Sequence, residues 1–95
     1  MTDQTAIELL KIEDADVKKA LTHIFTTYRN GFVWWAMKKY ACTEDEGITL
    51  FEDAIIKLLE IVKKKEDFIL TSSLKTYLIG IAINLKREEA RHIST

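Results

Sequence analysis

The chain contains no proline, and only three glycines and one cysteine stand among its 95 residues. Without proline nothing obliges a helix to break or kink, and so few glycines leave few places where the backbone turns freely. Long helices follow. Cys42 has no partner for an internal disulfide and is too little for a zinc site; a reducing, cytoplasmic setting is the simplest reading. No basic stretch leads into an apolar run between Met1 and Ile12, so no signal peptide is visible. The longest apolar run, Tyr77 to Ile83, falls far short of the ~20 residues that cross a bilayer, and no membrane association is expected.

Enzyme signatures are lacking too. There is no glycine-rich phosphate loop and no pair of helix histidines flanking a glutamate. His23 and His92 have no acidic or cysteine neighbours at ligand spacing, whereas structural metal sites want about four ligands. Glu52 and Asp53 are adjacent on a helix, about 100° apart around its axis, so they cannot share one proton as a catalytic dyad does. The expectation is a binding protein with no catalytic residues, no metal and no cofactor.

What is present is apolar and charged. Hydrophobic residues make up 47% of the chain, enough to exclude disorder by composition. A single domain of this length buries roughly two-thirds of its unfolded surface. The net charge of −1 conceals blocks of opposite sign: residues 44–60 carry −5, between +3 over residues 21–43 and a basic stretch that follows. Such blocks are either solvated faces or surfaces for different partners.

The spacing of apolar residues resolves into helices. Residues 1–13 read as a flexible leader. A helix should start near Asp14 or Asp16 and carry Val17, Ala20, Leu21, Ile24, Phe25 and Tyr28 at helical intervals. A bend or short break is expected at Arg29-Asn30-Gly31, after which Phe32, Val33, Ala36, Met37 and Tyr40 resume the pattern. Trp34 and Trp35 are consecutive, so only one can face the core. Thr43 and Glu46 form a capping box ahead of the cleanest stripe in the chain: Leu50, Phe51, Ala54, Ile55, Leu58, Leu59 and Val62. Residues 63–72 read as a loop. Ser72 or Ser73 should cap a last helix through Leu74, Tyr77, Leu78, Ile81, Ala82 and Leu85. The expected fold is all-α, a compact helical bundle of three to four helices, with residues 14–95 as its domain.

Two basic features remain. Lys63-Lys64-Lys65 is a short charge run, more often a solubilising loop than a nucleic-acid patch. Lys75, Lys86, Arg87 and Arg91 lie on the last helix, where Lys75 and Lys86 share a face.

Three blocks taken together resemble region 2 of bacterial sigma factors, nearest to the extracytoplasmic-function type. They are Ala20-Leu21…Phe25…Tyr28…Trp35-Ala36…Tyr40, then Leu50 to Leu58, then Ser72 to Asn84, and the likeness extends over about Val17 to Arg91. The resemblance implies a transcription initiation domain. It implies that the helix with Thr49, Glu52, Asp53, Ile56, Lys57 and Glu60 docks on the clamp helices of the RNA polymerase β′ subunit. It implies that Lys64, Lys65, Thr71, Ser72, Ser73, Lys75, Asn84, Arg87 and Arg91 meet the single-stranded −10 promoter element, the loop before Ser73 capturing a flipped base. The chain departs from the family pattern at Thr49 (commonly an acid), Glu52 (commonly glutamine) and Ile83 (commonly basic), and the last of these removes a DNA contact. Family members continue into a helix-turn-helix domain that grips the −35 element. This chain ends at Thr95, where the linker would begin, and reads as a domain of a longer protein. The competing expectation is a sigma-like helical interaction module without DNA recognition, bound for example to an anti-sigma regulator.

Overall fold

Four helices make up the structure, a computed structural model that describes residues 1–12, 14–65 and 67–93, with side chains described at all of these except 14, 92 and 93. They are α1 (Asp3–Leu10), α2 (Asp14–Tyr40), α3 (Glu44–Lys64) and α4 (Leu74–Ile93). The fold is all-α, with no strand among the described residues. The central helix, α3, packs against α2 on one side and α4 on the other, and α1 lies mainly along α2.

Each helix start has a local cause. At α3 the capping box is present: Thr43 Oγ1 accepts the Glu46 amide at 3.1 Å, and Glu46 Oε1 accepts the Thr43 amide at 3.0 Å. Two donors that the first turn leaves without an intrahelical partner are thereby satisfied. At α4 the cap is Ser73, whose hydroxyl oxygen accepts the Thr76 amide at 3.1 Å. At α1 the Thr2 hydroxyl accepts the Thr5 amide at 3.1 Å. The stripe on α3 is buried as its spacing requires except at Leu59, which is half-buried, with Phe51, Ala54 and Leu58 fully enclosed. Phe51 meets the Phe25 and Phe32 rings of α2 edge-on at 5.1 and 5.0 Å.

Two expectations about the first half of the chain are corrected. The expected leader over residues 1–13 contains a packed helix over residues 3–10: α1 places Ala6, Ile7 and Leu10 at zero to 1% exposure within the core. Their i, i+1, i+4 spacing is a short apolar face, and a helix of only 8 residues is held by burial, since so short a helix is marginal alone. Positions 13, 94 and 95 of the expected leader and domain lie outside the described residues. Nor does the chain break at Arg29-Asn30-Gly31; α2 runs unbroken for 27 residues. A glycine costs a helix about 1 kcal/mol, and the burial of Ile24 before it and Phe32 and Ala36 after it outweighs that. The helix ends instead at Ala41, which adopts φ 51°, the left-handed conformation that often terminates helices.

Helices α2 and α3 approach closely at Gly47. A Cβ placed on buried Gly47 would stand 3.1 Å from Val33 Cγ1 and 3.4 Å from the Val33 carbonyl oxygen. Gly47 is therefore small because the α2 backbone passes over it. Of the paired indoles, Trp35 packs inward against Phe32 and Tyr40, and Trp34 stays 65% exposed.

Candidate functional site

The exposed face of α3 gathers one group of residues. Thr49, Glu52, Asp53, Ile56, Lys57 and Glu60 lie along it, all of them exposed, and their spacing places them within roughly 140° of the helix circumference. Ile56 is 56% exposed at the middle of this face. Around it stand Glu52, Asp53 and Glu60, the last paired with Lys57 at 3.6 Å. At the start of α3 the face continues into a shallow groove against the end of α4, lined by Asp45, Glu46, Asp53, Lys86 and Glu89 among others. Hydrogen bonds from Thr43, the backbone amide foremost, hold the Glu46 carboxyl below its ordinary 4.5, and the charge of Lys86 acts the same way. The face is acidic, with an apolar centre.

A second surface is built on α4. Ser72, Thr76, Gly80, Asn84 and Arg87 rim a groove whose walls include Ile61 of α3 and Tyr77, Ile81 and Ile83. Burial raises the Tyr77 phenol above its ordinary value of 10.0. Gly80 is exposed in mid-helix with no atom within 4 Å of a Cβ built there, so the middle of the groove is open down to the backbone. The mixture of hydroxyl, amide and guanidinium groups over an apolar floor suits a flat, partly polar ring with a neighbouring anion.

The residues assigned to nucleic acid do not all meet there. Asn84 and Arg87 do, together with Ser72, and Arg91 lies one turn beyond Arg87. Lys75 does not: its ammonium nitrogen would sit 3.2 Å from a Cβ on Gly31 of α2. Lys86, on the same side of α4 as Lys75, stands over the Tyr40 ring at 5.4 Å. The Ser73 hydroxyl is committed to the helix cap and to Thr76 Oγ1 at 2.8 Å. Lys64, Lys65 and Thr71 are exposed without lining the groove.

The described part of the connection between α3 and α4 is held by hydrogen bonds at several points. Phe68 closes a turn with its amide on the Lys65 carbonyl at 3.0 Å, and its ring meets Tyr77 at 5.3 Å. Two side chains of the first segment then bind its backbone, and a third binds the first amide of α4. Lys11 Nζ donates to the Phe68 carbonyl at 2.9 Å, Gln4 Oε1 accepts the Leu70 amide at 3.0 Å, and Asp3 Oδ2 accepts the Leu74 amide at 2.8 Å. Asp3 Oδ1 also receives the Tyr28 hydroxyl. Burial first, and this bond second, push the Tyr28 phenol up to about 12. None of these contacts was legible in the sequence, since the three to the connection and the start of α4 span 57 to 71 residues.

Among the described residues no three of His, Cys, Asp and Glu come together to hold a metal, and none of their helices is long and apolar enough to cross a membrane. His23 stands beside Thr27; the His92 side chain lies outside the described residues. No family model, no curated protein and no solved structure matches the chain.

Proposed function

We propose that the chain is a cytoplasmic transcription initiation domain of the extracytoplasmic-function sigma region 2 type, acting by binding and not by catalysis. The acidic face of α3 docks on the clamp helices of the polymerase β′ subunit. The α4 groove and the outer side of the α3–α4 connection recognise and open the −10 promoter element, holding its single-stranded non-template strand. The observation that carries this reading is the division of labour in space. The residues that the resemblance gives to polymerase share one face of α3, and Ser72, Asn84 and Arg87, which it gives to DNA, share a groove on another helix. The chemistry of each surface agrees. A carboxylate-rich face suits a basic protein partner, with charge guiding encounter and register. A groove with open backbone at Gly80 suits a base out of its stack.

A sigma-like module that binds an anti-sigma regulator and no DNA is favoured by a different feature. Trp34 and Met37 are 65% and 38% exposed and line a depression of mixed character with Val33, Ile48, Arg29, Asn30 and Glu44, and Ile83 stands in the α4 groove where a cation would hold phosphate. The two readings part at single-stranded DNA, and the polymerase assignment has a test of its own. A β′ clamp-helix fragment should capture the wild-type chain and lose Glu52→Lys/Asp53→Lys, while the thermal midpoint of the double variant stays near wild type. Equal capture of both chains, or capture of neither, would remove the polymerase assignment.

A further inference from the structure

We infer that α1 is the positioning element of the α3–α4 connection: Gln4 and Lys11 fix the inner edge of residues 67–73, and Asp3 the start of α4 that follows, so that the outer edge presents a set shape to a nucleic-acid base. The second half of this statement rests on the function proposed above; the first half does not.

The connection alternates. Phe68 and Leu70 turn toward the core, whereas Ile69, Thr71 and Ser72 are exposed. A segment of this kind without regular structure has backbone groups to satisfy and little to hold it in one conformation. Here the satisfying partners come from α1 and the residue that follows it. Lys11 supplies a donor, Gln4 an acceptor, and Asp3 an acceptor at the very start of α4, all within 3.0 Å. Immobilising a lysine or glutamine side chain costs about 1.5–2 kcal/mol of rotamer freedom, so both are unusual choices for merely closing a surface. The Lys11 side chain is only 15% exposed, its ammonium shared between Glu8 at 3.1 Å and the Phe68 carbonyl. α1 is itself anchored independently of these polar groups, through Ala6, Ile7 and Leu10. Gln4 and Lys11 thus connect a fixed element to the segment carrying Thr71 and Ser72, and removing them should free that segment without undoing the fold.

The test uses the whole chain with Gln4→Ala/Lys11→Met, which deletes both interactions and keeps helix-forming residues, and with Gln4→Glu alone, which keeps an acceptor for Leu70. Amide exchange followed by nuclear magnetic resonance reads the connection. Binding of core polymerase plus chain to single-stranded oligonucleotides that differ at one base reads recognition. Exchange at Leu70 should rise at least about tenfold in the double variant, base discrimination should fall several-fold, and the salt dependence should stay as in wild type. Gln4→Glu should retain slow exchange and discrimination. Unchanged exchange at Leu70 overturns the inference. So does faster exchange with full discrimination, because α1 then orders the segment without setting what it accepts. A wild-type chain that shows no base preference with polymerase overturns the proposed function and the recognition half with it.

Discussion

Lys75 and Asn84 point away from each other across α4. Nine residues at roughly 100° each turn the helix by two and a half revolutions, which leaves the two half a turn apart. The Lys75 ammonium accordingly lies over Gly31 of α2, while Asn84 opens onto the groove beside Ile61. Basic residues on this helix therefore do not form one patch. Under the proposed function the two positions should behave differently. Asn84→Ala should reduce discrimination between bases by roughly 1–3 kcal/mol. Arg87→Ala should weaken all sequences alike and flatten the salt dependence by about 0.7 for each phosphate no longer neutralised on a single strand. Lys75→Ala should change neither. Fluorescence anisotropy over a salt series with core polymerase present distinguishes the three.

The core role of α1 predicts a large cost for a small change near the chain start. Ile7 is fully enclosed, and truncating such a residue to alanine costs about 2–5 kcal/mol. Urea unfolding of Ile7→Ala should show that reduction in stability. A shift below about 0.5 kcal/mol, the scale of a surface substitution, would return residues 1–10 to the status of a leader.

Three backbone positions should respond with definite signs. Gly80→Ala meets open space and should stabilise by about 0.5–1 kcal/mol through helix propensity. Ala41→Gly relieves the left-handed strain at φ 51° and should stabilise by up to about 1 kcal/mol. Gly47→Ala brings a methyl to 3.1 Å from Val33 Cγ1 and 3.4 Å from its carbonyl oxygen. Overpacking of about 1–3 kcal/mol then exceeds the propensity gain, and stability should fall. Thermal midpoints of the three variants check the ordering.

Tyr28 ties stability to alkaline pH. Its folded value of about 12 lies above the ordinary 10.0, so the protonated phenol is the form that folding favours. Its contribution is complete below pH 10 and disappears as pH rises from there through about 12. The urea midpoint should fall across that window, and Tyr28→Phe should remove its part of the slope. An identical slope in the variant would show that the phenol is not what titrates.

How much the sequence disclosed follows the range of the interaction. The capping box at Thr43, the cap at Ser73 and the buried face of α3 are readable because their partners lie within a few residues, where spacing maps directly onto geometry. The separation of Lys75 from Asn84 is open to the same arithmetic, from the step of about 100° per residue alone. Gly31 misled because local propensity was set against packing that α2 gains along its whole length. The burial of α1 and its hold on the α3–α4 connection escaped because Asp3, Gln4 and Lys11 act on partners 57 to 71 residues away. The apolar spacing of Ala6, Ile7 and Leu10 was the one available signal, and it occupies barely more than a turn.

The central claim is that this domain, on polymerase, reads single-stranded promoter DNA. The most direct measurement is the affinity of core polymerase for fluorescent single-stranded oligonucleotides of varied sequence, with and without the chain. Adding wild-type chain should tighten binding for a subset of sequences, and Asn84→Ala should erase much of that preference while leaving thermal stability near wild type. Identical affinities with and without the chain, for every sequence, would contradict the account.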